Sequence, residues 1–186
     1  GEYLLSTYLG VSGVNISDVA IYNYPPNMLS RALMNQEVDV IVPWEPYAYK
    51  AINVLGGKAK VLDTKNLYTL TFNLISRRLQ TESQHKSATC LLSGLDKAMN
   101  YIAAEPNKSK EIIVRRLGLE SRFLEWVWPD YVFKLGLNSS LLMALESQAL
   151  WAMKTGMVNE TELPDFSSLI ESSILHEVSP MSVTLH

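Results

Sequence analysis

Residues 38–44 read Val-Asp-Val-Ile-Val-Pro-Trp, followed at once by Glu45-Pro46-Tyr47. A nearly continuous apolar run rich in β-branched side chains is the mark of a strand covered on both faces. Such strands belong to parallel sheets flanked by helices, so this stretch constrains the fold class most strongly. Its end is unusual. Glu is among the residues least often buried, and Trp is an amphipathic contact residue. Pro46 suits the first position of the next helix.

The surrounding residues extend the pattern. Tyr3, Leu4, Leu5, Tyr8 and Leu9 form one helical face that Gly13 can stop. Residues 18–24, Asp-Val-Ala-Ile-Tyr-Asn-Tyr, are rich in strand formers and are broken by Pro25 and Pro26. Asn27 can cap a helix reaching Gln36. A helix from Pro46 to Gly56-Gly57, a short strand at 58–63 and an alternating strand at 68–76 follow. Strands alternating with short helices predict an α/β lobe over residues 1–76.

After Arg78 the character changes. Residues 80–87 are polar and read as a turn or linker. Ala88, Leu91, Leu92, Leu95, Met99 and Ile102 then recur at helical spacing. Pro106 separates that helix from the next, Asn138 can cap a long helix to Gly156, and a last helix follows Pro164. Residues 77–186 are therefore expected to be mostly helical, with a candidate extended stretch at 130–137.

Composition narrows the function. Net charge is −3 over 186 residues, with no basic footprint for nucleic acid. No apolar run approaches the ~18 residues of a membrane span. A single cysteine, Cys90, forbids an internal disulfide and, on an apolar helical face, reads as a small core residue. His85, His176 and His186 are far apart, with no metal-ligand spacing, and no phosphate loop or nucleophile elbow occurs. No cofactor and no enzymatic activity are expected.

In open α/β sheets, ligands bind beyond the carboxyl ends of the strands. Trp44 and Glu45 stand at such an end. Trp44 can stack on a ligand and Glu45 can accept its hydrogen bonds. Equally, an acid beside a helix start complements the helix dipole. Tyr24 ends the preceding strand in the same way. Asn73, a polar residue within a strand, needs a partner if buried. Trp128 and Tyr131 flank Pro129 in a second aromatic cluster, for which core packing is the alternative.

The ordered set Glu-Tyr-Leu-Leu (2–5), Ala-Leu-Met-Asn-Gln-Glu-Val-Asp-Val (32–40), Trp-Glu-Pro-Tyr (44–47), Leu-Gly-Gly-Lys-Ala-Lys-Val-Leu (55–62), Thr-Phe-Asn-Leu-Ile-Ser-Arg-Arg (71–78) and Val-Ser-Pro-Met (178–181) resembles the solute-binding proteins of nitrate/sulfonate/taurine-type ABC transporters. That family also includes thiamine-precursor-binding proteins. The likeness spans nearly the whole chain. It implies a type II periplasmic-binding-protein fold whose two hinged lobes clamp a small polar solute for a membrane permease, in the periplasm or outside the cell. It further implies that Tyr3, Tyr24, Trp44 and Glu45 line the pocket, with Asn73 near the crossover and Trp128 and Tyr131 where the chain returns to the other lobe. This chain lacks the family's first lobe and the opening strand of the second, so exposed apolar surface and self-association are expected. Glu45 favours a ligand bearing an amine or another donor, such as an aminosulfonate or aminopyrimidine. Two other functions share the implied fold: the extracellular input domain of a membrane sensor, and a pyrimidine-precursor synthase. The latter consumes a histidine and uses a Cys-rich motif, neither of which the candidate pocket stretches contain.

Overall fold

The computed structural model describes residues 1–64, 67 and 69–185. They fall into two compact units, Gly1–Leu70 and Thr71–His186.

In the first unit, α1 (Glu2–Val11) begins at Gly1 and carries Glu2 in its first turn, where the helix dipole favours an acid. A 3-10 turn at Pro26–Met28 leads into α2 (Leu29–Met34), and α3 (Tyr47–Leu55) packs against α2. Together these helices bury Ala32, Ala51 and Leu55. Asn27 does not cap α2; the 3-10 turn begun at Pro26 takes the place of a side-chain cap.

The second unit is helical. Its longest helix is α4 (Glu82–Ala104), joined through Glu105 to α5 (Pro106–Leu117), which ends at Gly118 in a left-handed conformation with φ +64°. Next come α6 (Ser121–Val127), a 3-10 turn at Trp128–Asp130, and α7 (Ser139–Lys154). Asn138 caps α7 as its sequence predicts, its Oδ1 accepting from Leu141 N at 3.1 Å. Two short helices, α8 (Phe166–Leu169) and α9 (Ser173–Val178), replace the single predicted last helix. Asp165 caps the start of α8, and the break falls at Ile170–Ser172, where the Glu171 carboxylate accepts from Ser173 N and Oγ, local bonds that compete with continuous helix. α9 packs along α4, α5 joins α4 to α6, and Leu124, Val127, Leu141, Ile174 and Leu175 are buried.

The sheet corrects the expectation from sequence. Among the described residues, strand pairing is confined to β1 (Leu137–Asn138) and β2 (Val183–Thr184), parallel, with Leu137 opposite Val183. This is not a type II periplasmic-binding-protein lobe with its multi-stranded sheet. The stretches 38–44 and 68–76, expected as strands, form none among their described residues, although their composition favours one. Val38–Pro43 and Thr71–Ser76 form no backbone hydrogen bond with any described residue. Tyr68, the first residue of the second of these, lies outside the described residues, as does His186. The physical reason is that a strand is completed by the backbone of a neighbour, which β-branched composition alone does not supply.

The polar stretch 80–87 is also corrected. It opens α4 rather than linking elements: Thr81 Oγ1 accepts from Gln84 N at 3.2 Å, and the Gln84 side chain accepts from Thr81 N at 3.2 Å. This reciprocal capping box satisfies two donors that a helix start leaves free. Cys90, on the exposed side of α4, is not a core residue.

Candidate functional site

The aromatic residues of the first unit take local partners. Trp44 is 59% exposed and meets Tyr47 edge-on, with ring centroids 5.8 Å apart. Glu45 Oε2 accepts from Tyr49 N at 3.1 Å, so its carboxylate serves the start of α3. Tyr24 donates to Glu37 Oε2 at 3.0 Å, while Asn35 Nδ2 donates to Glu37 Oε1 at 2.9 Å. The Asn35 hydrogen bond, and after it that of Tyr24, holds the Glu37 carboxyl below its usual range; the same contact raises the Tyr24 hydroxyl. Tyr24 is thus engaged with Glu37 rather than with Trp44 or Glu45. Tyr3 lies on α1, half-buried, its carbonyl accepting from Thr7 Oγ1 at 2.8 Å.

In the second unit Asn73 is exposed, and its amide donates to Thr71 Oγ1 at 3.3 Å. Trp128 and Tyr131 are brought together through Phe133, a residue that carries no signal of its own in the sequence. Phe133 stacks on Tyr131 at 5.8 Å and tilts against Trp128 at 4.8 Å. Lys110 Nζ sits 5.3 Å from the Trp128 ring centroid and holds the Glu125 carboxylate at 2.8 and 3.0 Å. Trp128 and Tyr131 therefore act as a backing for Phe133.

Phe133 lines a groove of about 270 Å³ in the same unit. One wall is α4, which presents Asp96, Met99, Asn100 and Ala103. Their spacing of i, i+3, i+4 and i+7 puts all four on one helical face. The second wall is the extended chain Phe133–Lys134–Leu135, and the third is formed by Ser179 and Ser182 around the turn that follows α9. Pairing of β1 with β2 holds the second and third walls together, and Ser182 O approaches Gly136. Asn100 Nδ2 donates to Asp96 Oδ2 at 3.0 Å, and Ser179 Oγ lies 2.9 Å from Ser182 Oγ.

The groove is thus lined by Asp96 of α4, Lys134 of the segment 133–135, two serines and Phe133. A volume near the lower end of ligand pockets suits a small solute. Among the described residues, no group of three or more His, Cys, Asp or Glu side chains is placed to hold a metal. Set against family models, curated proteins and solved structures, the chain matches none of them.

Proposed function

We propose that this chain binds a small zwitterionic solute without chemical change, as the capture step of ABC-type import outside the cytoplasm. One observation carries the reading: Asp96 and Lys134, opposite in charge and borne by different elements, line one small groove. Asp96 accepts hydrogen bonds from the solute's ammonium, and Lys134 pairs with its anionic end. Ser179 and Ser182 donate to the same anion, and Phe133 covers the methylene spacer. The resemblance of the chain's ordered stretches to nitrate/sulfonate/taurine-type solute-binding proteins favours a ligand of that class and a permease as partner. The predicted donor-bearing ligand is retained, while Asp96 replaces Glu45 as its acceptor.

Taurine is the probe. Titration followed by calorimetry and amide chemical shifts is expected to perturb Asp96, Asn100, Phe133 and Lys134. Asp96→Asn and Lys134→Met are each expected to weaken binding at least tenfold, since a hydrogen bond to a charged group contributes ~1.5–3 kcal/mol. Both side chains lie at the groove surface, so both variants keep native helix content by circular dichroism. Absence of taurine binding, or binding that both variants leave intact, overturns the reading.

A further inference from the structure

The segment Thr69–Ile75 carries a strand pattern and pairs with no strand among the described residues. Leu70, Phe72 and Leu74 alternate with Thr69, Thr71, Asn73 and Ile75. Phe72 is 79% exposed, Leu74 63% and Ile75 92%. The backbone of Thr71–Ser76 makes no backbone hydrogen bond with a described residue, which leaves its donors and acceptors to a strand that adds beside it. The stretch contains no charge, no Pro and no Gly, which leaves nothing in it to repel a neighbouring strand.

The sequence of the segment chooses the occupant. Set antiparallel to itself about Phe72, it places Phe72 opposite Phe72, Leu70 opposite Leu74, and Thr71 opposite Asn73. Every apolar residue of one face then meets an apolar residue, and each polar pair can share a hydrogen bond. This is the self-complementarity of a two-fold interface. A parallel pairing would instead stack Arg77 and Arg78 on their own copies, with like charges side by side. The antiparallel one sends the two arginine pairs to opposite ends.

The exposed area is also sufficient. The chain exposes 14109 Å² at 20.9 kDa. A compact monomer of that mass exposes about 9,000 Å², and two separate compact domains of these sizes about 11,000 Å². Leu70, Phe72, Leu74 and Ile75, each at least 62% exposed, contribute to that surplus.

We infer that Thr69–Ile75 is a dimerisation strand that pairs antiparallel with the same segment of a second copy, with Phe72 on the two-fold axis. At the axis, facing Cα atoms lie ~4.5–5.5 Å apart, within disulfide reach, whereas the two copies of residue 74 are ~13 Å apart. The test is carried out on the whole chain in a Cys90→Ala background, since Cys90 is exposed. Sedimentation equilibrium is expected to show reversible doubling of the 20.9 kDa mass. Phe72→Cys is expected to cross-link under mild oxidant and Leu74→Cys to cross-link at least tenfold more slowly. Phe72→Lys is expected to abolish the dimer while keeping helix content. A monomer at every concentration, a dimer indifferent to Phe72→Lys, equal cross-linking at 72 and 74, or open-ended aggregates would each overturn the proposal.

Discussion

Ser109, on α5, is 3% exposed, and its Oγ has no hydrogen-bond partner among the described residues. Burying a hydroxyl without a partner costs about 1–3 kcal/mol, and Ala is the better helix former. Ser109→Ala is therefore expected to be neutral or to stabilise by about 1 kcal/mol in urea unfolding; a clear loss would mean that the hydroxyl is satisfied. Glu171 makes a second prediction at this scale. Hydrogen bonds from the Ser173 hydroxyl and then the Ser173 amide hold its carboxyl below the usual 4.5. A depressed carboxylate contributes stability that is fully present above about pH 4.5 and is lost as pH falls through the folded value. NMR titration should place its midpoint below 4.5, and Ser173→Ala should move that midpoint upward. Side-chain roles are only partly legible in the sequence. Glu45 beside a helix start can be read either as an acceptor for ligand or as a complement to the dipole, and the structure engages it with Tyr49 N. Asp96 and Asn100 are one helical turn apart and readable as a pair, but nothing in the sequence says that Lys134 lines the same groove.

Helices are the legible elements, because their signals are local. The α7 cap at Asn138 and the apolar face of α4 can be read from residue type and spacing alone. The start of α4 is equally written, as Thr81 followed three residues later by Gln84, although the polarity of 80–87 suggests a linker. Thr81→Ala is expected to cost about 1 kcal/mol through loss of the capping bond. An unchanged urea midpoint would show that the first turn of α4 frays in solution. Leu175 of α9, buried in the helical unit, is expected to cost ~2–5 kcal/mol on truncation to Ala. Strands are harder to read because a strand is completed by its neighbour. The residues of 38–44 have strand composition, but pairing depends on a partner backbone that the local sequence does not specify.

For the whole molecule, the exposed area governs how the chain responds to denaturant. Unfolding uncovers less surface when the native chain already exposes 14109 Å². The urea m-value and the heat-capacity change of the monomer are expected to fall about a quarter below those of a compact 186-residue protein. Values at the compact-protein level would show that most of this surface is covered in solution. The two-residue pairing of β1 with β2 joins positions far apart in the chain, as the Ser139–Thr184 contact, 45 residues in span, does on the same edge. That closure fixes an order in time. A growing chain leaves the ribosome with α4 and the Phe133–Leu135 segment already synthesised, each able to form through its own neighbours. The third wall follows only when Thr184 has emerged. A nascent chain stalled before Ser179 therefore has α4 and the segment 133–135 but lacks the groove's third wall, which is completed in a single step.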